Sequence, residues 1–349
     1  MNRRSFLKRV PLAAGLIAAP GLLRAETRQF EGVVLRLNGY GGDYDRIMTE
    51  TIAKPLAEKT GMQVIYTPGT GATAIAKIIA SPSNPPYDLI ICDSPAMPDL
   101  IKAQAIEKVT AAEIPAISKI RPHVREFDDY GLPFSISSMV PTYNTDKVKQ
   151  PLRAFADLGR PDLKGRVAIF NLENTGGLLQ FLALADSNGG SVDNVDPAFE
   201  ALKRLKPNIT AITPSTVNLV QLLEQEEALA AGMWDGRVYA MRKSGKPMAL
   251  VEPTEGLYAL RSYVSPVKGS KHPEAVKAYL QQAISDEAVA GIANFFRYGP
   301  ATDVKLDASV SSDILTYGEP GIAKIKPVDW TKVAMHRSDW LTRFNREMR

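Results

Sequence analysis

Reactive side chains are scarce in this chain of 349 residues, which has one cysteine, Cys92, and three histidines, His123, His272 and His336. A lone cysteine excludes an intramolecular disulfide. Cys92 ends the run Tyr87-Asp88-Leu89-Ile90-Ile91-Cys92, which reads as a buried strand, so a packed core thiol is expected rather than a reactive one. The histidines are scattered, without an H-E-x-x-H or His-x-His pair, and no metal site or other cofactor is expected. A P-loop and a G-x-S-x-G elbow are also missing, which removes two common signatures of phosphoryl transfer and acyl hydrolysis. The apolar stretch Val10 to Leu23 falls short of the roughly 20 residues that a membrane-spanning helix needs.

What that stretch does fit is an export signal. Arg3-Arg4-Ser5-Phe6-Leu7-Lys8 is a twin-arginine motif, followed by an acid-free apolar region, then Arg24-Ala25 and the first acid, Glu26. A charged region, an apolar region and a small residue at a cut are the order of a cleaved signal. Residues 1–25 are therefore expected to be removed, and the protein to work in the periplasm. The competing reading is a basic, amphipathic helix start. Export also changes the meaning of the charge. The chain has 42 basic and 38 acidic residues, a net +4. The signal holds Arg3, Arg4, Lys8, Arg9 and Arg24, and losing them leaves 37 bases against 38 acids. No clustered basic face remains to suggest a nucleic-acid partner.

The remaining length, about 320 residues, is long for one core and suggests two lobes. Strands and helices alternate along it. Val33 to Leu37 reads as a strand ending at Asn38-Gly39-Tyr40-Gly41-Gly42, and a helix follows. Met62 to Tyr66 is the next strand, ending at Pro68-Gly69-Thr70-Gly71, with a helix over Ala72 to Ala80. Leu89 to Ile91 is a third, ending at Asp93-Ser94-Pro95. A second unit of the same kind begins near Gly165, with the strand Val167 to Phe170, the loop Asn171 to Gly177 and an apolar helix from Leu178. The tail from Trp330 reads as a polar, partly helical wrap. This alternation is the mark of an α/β fold with mostly parallel sheets, whose ligands sit beyond the carboxyl ends of the strands. Gly69-Thr70-Gly71-Ala72-Thr73-Ala74 has the form of a dinucleotide fingerprint. A small-residue loop that opens a helix gives the same string, and its free N–H groups suit a carboxylate, a phosphate or another polar group.

Several later segments together resemble one family, the periplasmic solute-binding proteins of ABC importers, in the branch of polyamine, iron and aminoethylphosphonate binders. They are Gly131-Leu132-Pro133-Phe134-Ser135-Ile136-Ser137-Ser138 running on to Tyr143-Asn144-Thr145-Asp146, Trp234-Asp235-Gly236-Arg237, Pro253-Thr254-Glu255-Gly256, and Pro273 to Leu280 followed by Arg297-Tyr298-Gly299-Pro300. The resemblance runs in order through nearly all of the chain beyond residue 25. It implies a two-lobed periplasmic-binding-protein fold of type II, hinged at crossing strands. Lobe 1 would be residues 32–136 and 256–296, and lobe 2 residues 137–255 and 300–349. It also implies a monomer that delivers a small ligand to a membrane permease, with no catalysis of its own.

Carried over residue by residue, the resemblance places ligand contacts at Tyr40 and Gly41, at Thr70, Gly71 and Thr73, at Asp93 and Ser94, and at Ser137 and Ser138. The second lobe would supply Asn174, Thr175, Trp234 and Asp235, and the hinge region Tyr258 and Arg261. Plainer roles compete: Trp234 as core, Ser137 and Ser138 as local backbone partners, and Thr175-Gly176-Gly177 as a helix cap. The polyamine binders of the branch place Trp-x-Asp after the Glu-Gly, whereas this chain has Leu260-Arg261-Ser262. An arginine repels a diamine and suits a carboxylate or phosphonate, so an anionic or zwitterionic ligand is expected. If Arg261 points away into an ion pair, that argument fails and Asp93 and Asp235 are left to hold an amine. An exported enzyme and a binding protein that serves a sensor are the rival readings.

Overall fold

In the computed structural model, which describes residues 28–69 and 71–348, the carboxyl ends of the first and third strands read from the sequence, and the loop after the strand at 167–170, open on one cleft. The twin-arginine segment and Thr70 lie outside the described residues. Strand β1 (Val34–Gly39) pairs in parallel with β2 (Gln63–Pro68) and with β3 (Leu89–Asp93). Between them run α1 (Gly42–Met48), continued through a π turn at Thr49–Ala53 into α2 (Lys54–Thr60), and α3 (Gly71–Ala80). A helix α4 (Met97–Lys102) follows β3. The second half repeats the plan. Strand β5 (Val167–Phe170) is parallel to β6 (Ile209–Thr213) and to β7 (Ala230–Trp234), with helices α5 (Thr175–Ser187), α6 (Asp196–Leu205) and α7 (Thr216–Glu224) between, and α8 (Asp235–Lys243) after β7.

Two long strands join the halves. β4 (Leu132–Asn144) and β9 (Tyr258–Pro266) pair antiparallel with each other; β3 pairs with β9 and β7 with β4, giving the order β2-β1-β3-β9-β4-β7-β5-β6. Short strands β8 (Met248–Leu250) and β10 (Gly299–Pro300) add to β4. Both crossing strands are buried along their length, which is why they read as near-continuous apolar runs with a few small polar residues.

The apolar cores divide along these strands. Leu132 and Phe134 of β4 and Val264 of β9 pack with Leu35, Leu37, Ile52 and Leu89. Met139 and Val140 of β4 and Tyr258 and Leu260 of β9 pack instead with Phe170, Leu179, Phe181 and Met233. Each lobe thus has its own core, and the strands exchange one for the other near residues 135–138 and 261–263. Helices α9 (Pro273–Ala283) and α10 (Asp286–Phe296) return to the first core through Tyr279, Leu280 and Ile292. After the short α11 (Ala308–Ser311) and α12 (Gly318–Ile322), α13 (Trp330–Glu347) lays Trp330, Val333, Trp340 and Phe344 into the second core. It also reaches the first lobe, where Arg337 bonds Asp99 at 2.6 Å and the Trp330 indole donates to Glu126 at 3.1 Å.

Candidate functional site: a cleft between the lobes

The cleft is built first by a glycine loop. A Cβ on Gly39 would stand 2.2 Å from a carboxylate oxygen of Asp45, and Gly41 has φ +81° and ψ 171°, a region that essentially only glycine enters. Asp45 accepts the Gly41 N–H at 3.0 Å and fixes the start of α1. Behind the loop, the buried Asn38 side chain exchanges two 2.8 Å bonds with the Ile91 backbone and so stitches β1 to β3. The loop leaves Tyr40 projecting into the cleft, 37% exposed. Its hydroxyl donates to Asp93 Oδ1 at 2.8 Å, and the same oxygen takes the Ser262 hydroxyl at 3.0 Å. Burial raises the Asp93 pKa above the usual carboxylate value, and these two bonds pull against that rise. No cation pairs with Asp93 among the described residues.

An aromatic wall continues from Tyr40. Its ring meets Tyr44 edge-on at 4.8 Å, Tyr44 meets Phe296 at 5.1 Å, and Phe296 stacks on Tyr298 at 5.4 Å. From the second lobe come Trp234 at the end of β7, Arg237 in the first turn of α8, and Glu173, Asn174 and Thr175 where α5 begins. Together these groups enclose about 620 Å³. Arg237 is exposed to that space and has no ion pair among the described residues; the Glu173 carboxylate likewise has none. Aromatic faces and a partly desolvated carboxylate suit a cation, and a guanidinium suits a carboxylate or phosphate.

Seven of the expected contacts line this cleft: Tyr40, Gly41, Asp93, Ser137, Asn174, Thr175 and Trp234. Asn174 reaches it with its hydrogen-bonding already used, since Oδ1 accepts the Gly176 N–H at 2.8 Å and Nδ2 donates to the Pro214 carbonyl at 2.9 Å. Gly71 borders an adjoining groove, and Thr73, on an exposed turn of α3, lines neither space.

Ser94, Ser138, Asp235, Tyr258 and Arg261 are turned away, and Arg261 is the instructive case. Leu260 and Ser262 face the cleft, so the alternation of a strand sends Arg261 to the opposite face. There its side chain is 7% exposed, and Nη1 bonds Glu126 Oε1 at 2.8 Å. Ser94 is fully buried in the same cluster: it donates to Glu126 Oε2 at 2.5 Å and accepts the Arg261 N–H at 3.0 Å. Asp235 is the first residue of α8 and points back into the joint with β4, where its oxygens accept the N–H groups of Gly236 at 2.8 Å and Ser138 at 3.1 Å. Burial lifts its pKa to about 7. Ser138 is buried in that joint. Tyr258, four residues before Ser262, lies roughly 13 Å further along the strand; its hydroxyl donates to Asp186 at 2.7 Å beside a separate cavity.

Sequence reasoning missed Asp43, Tyr44, Glu173, Arg237, Ser262, Phe296 and Tyr298. Arg237 had a readable signal: it lies just past the carboxyl end of β7, in the first turn of the following helix, where ligands of α/β sheets sit. Among the described residues, no group of three His, Cys, Asp or Glu side chains stands close enough to hold a metal ion.

Comparison with known proteins places this geometry. The spermidine/putrescine-binding periplasmic protein of Escherichia coli is 24% identical over 292 residues, spanning 80% of this chain and 82% of that protein. An ABC transporter structure from Clostridium perfringens superposes with a TM-score of 0.78 at 22% identity, covering 91% of this chain and all of that one. A structure described as a GABA receptor gives 0.76 at 19%, covering 90% and 97%. The fold is therefore the two-lobed fold of periplasmic binding proteins. The family of bacterial extracellular solute-binding proteins matches residues 51–315, and the chain belongs to that family.

Proposed function

We propose that this protein is exported by the twin-arginine route, captures a small solute in the cleft and hands it to the permease of an ABC importer. The ligand carries both an ammonium and an anionic group. The observation that carries this reading is the pair Asp93 and Arg237: a carboxylate from lobe 1 and a guanidinium from lobe 2 face one cleft, and neither has an ion-pair partner among the described residues. The argument from Arg261 to an anionic or zwitterionic ligand fails, because Arg261 is paired with Glu126 behind the strand; Arg237 is a separate ground for an anionic group. Tyr40, Tyr44 and Trp234 would surround the ammonium, as aromatic faces do for cations.

Hinge closure follows from this division. A ligand that touches both lobes favours the state in which both reach it, and can shift the population only by that difference in affinity. The proposed moving bodies are residues 32–136 with 256–296, and 137–255 with 300–349, working as a monomer without catalysis. A closed pair is what a permease would recognise.

A second reading has its own observation. Glu173 gives the cleft another unpaired carboxylate, which suits a diamine, and the Escherichia coli relative is named for spermidine and putrescine. Calorimetry with Arg237→Gln separates the two. For 4-aminobutanoate, removing the guanidinium should weaken binding about 10- to 100-fold, the worth of hydrogen bonds to a charged group. If the same change leaves 4-aminobutanoate untouched, or tightens putrescine, the diamine reading replaces the zwitterion.

A further inference from the structure

The ligand cleft does not end at Tyr40. A groove of about 850 Å³ opens beside it, between α3 and α4, and shares Tyr40, Asp93, Glu173 and Thr175 with the cleft. Both spaces fall in the range of about 300–1,000 Å³ that holds a drug-sized ligand. A small zwitterion needs only the first.

The groove differs in chemistry from the cleft. Ala72, Ile75, Ala76 and Ile79 of α3 border it, at the spacing that puts residues on one face of a helix. Ala96 and Ala103 border it across the way. Small residues on both sides leave room for an occupant. Of the six large hydrophobic residues more than a third exposed among the described residues, two, Tyr40 and Ile79, border this groove, with Ile79 at 43%. Its lining also has polar groups: Asp99, held by Arg337 of α13 at 2.6 Å, and Lys102.

We infer that the groove is a second compartment of the ligand site, and that it takes an apolar arm carried on the ammonium group bound at Asp93. The inference rests on the reading of Asp93 as the ammonium's partner. Continuity selects this occupant, because the carboxylate that ends the polar cleft also lines the apolar groove. Beyond the aromatic wall of the cleft, a ligand held at Asp93 therefore has an aliphatic groove in which to grow. The preferred ligand is thus an N-substituted amine, longer than a bare amino acid or diamine.

The test compares two pairs of probes by calorimetry: 4-aminobutanoate with N-butyl-4-aminobutanoate, and putrescine with N-butylputrescine. Each methylene removed from water is worth roughly a factor of four, so a partly covered butyl arm should tighten binding at least ~10-fold on whichever head group binds. Ala76→Trp lies on an exposed part of α3 and fills the groove; it should erase that gain and leave the parent head group's affinity unchanged. No gain from the butyl arm, or a gain that survives Ala76→Trp, overturns the compartment. Binding of the diamine pair alone, with the gain intact, overturns the zwitterion and keeps the compartment. Binding of neither pair overturns both. Sedimentation showing a dimer that Ala76→Trp dissociates would assign the groove to a second copy of the chain instead.

Discussion

Replacing Arg261 with alanine should damage the fold and spare the ligand. The Arg261 and Glu126 side chains are 7% and 15% exposed and bonded at 2.8 Å. Removing one partner of a buried pair leaves a charge without its counter-charge, at a cost of about 3–5 kcal/mol. Glu126 keeps the Ser94 hydroxyl and the Trp330 indole as donors, which places the expected loss near the lower end, about 3 kcal/mol. Arg261 Nε is buried without a hydrogen-bond partner among the described residues, so the native pair is itself imperfect, and a combined Arg261→Met, Glu126→Gln variant should recover much of the loss. Urea denaturation followed by tryptophan fluorescence measures the stability, and calorimetry measures affinity for whichever probe the protein binds. The expected result is a large drop in stability with affinity within about threefold, since the nearest cleft contacts, Leu260 and Ser262, keep their places on the other face. A variant of unchanged stability that binds 100-fold more weakly would refute the placement of Arg261 behind the strand.

Further outcomes follow from the same geometry. Asp93→Asn should weaken an ammonium ligand about 10- to 100-fold, and in the native protein affinity should fall with pH once Asp93 begins to take a proton, with burial moving that point above the ordinary carboxylate range; titration calorimetry between pH 4 and 8 checks both. The folded Asp235 pKa of about 7 lies above its unfolded value of about 3.9, so this group favours folding when protonated. Its contribution is complete below about pH 4 and is lost as pH rises to 7, on the order of 4 kcal/mol in all; Asp235→Asn should flatten that part of the stability profile in urea melts. A Cβ at Gly236 would stand 2.5 Å from the Phe296 carbonyl and 2.6 Å from the Tyr298 ring. Gly236→Ala should therefore part α8 from the end of α10, cost about 1–3 kcal/mol and misalign Arg237 with the aromatic wall, read as a joint loss of melting temperature and affinity. Ligand binding should change the fluorescence of Trp234, which faces the cleft, and Trp234→Phe should abolish that change, because Trp330 and Trp340 pack in the second core.

The fold was legible because its cause is local. The apolar runs at 33–37, 62–66, 89–91 and 167–170 fall on β1, β2, β3 and β5, and the glycine-rich turns after β1 and β2 and the Ser94-Pro95 turn after β3 mark their carboxyl ends. Tyr40 and Asp93 follow or end two of those strands and line the cleft, as does Trp234 at the end of β7, whose expected place rested on the family resemblance. What failed was direction within an element. Arg261 and Asp235 sit one residue from cleft contacts, and one residue is the whole difference between the two faces of a strand or a quarter-turn of a helix. Phe296 and Tyr298 were hidden for another reason: they close the cleft from a segment more than 250 residues beyond Tyr40, and only the return of α10 to the first core brings them there. The expected reading of α13 as a wrap was sound in outline, but its bonds to Asp99 and Glu126 across the lobes depend on tertiary placement that no local pattern encodes.

The central claim is that the cleft takes a ligand with both an ammonium and an anionic group, held between Asp93 and Arg237. Its most direct test is a thermal-shift comparison of 4-aminobutanoate, putrescine and butanoate at equal concentration. A ligand at 100 times its dissociation constant adds about 2.7 kcal/mol to stability, enough for a visible rise in melting temperature. The account predicts a rise with 4-aminobutanoate that is absent with butanoate and smaller with putrescine. A rise with putrescine alone would contradict it and leave Asp93 and Glu173 as the pair that holds the ligand.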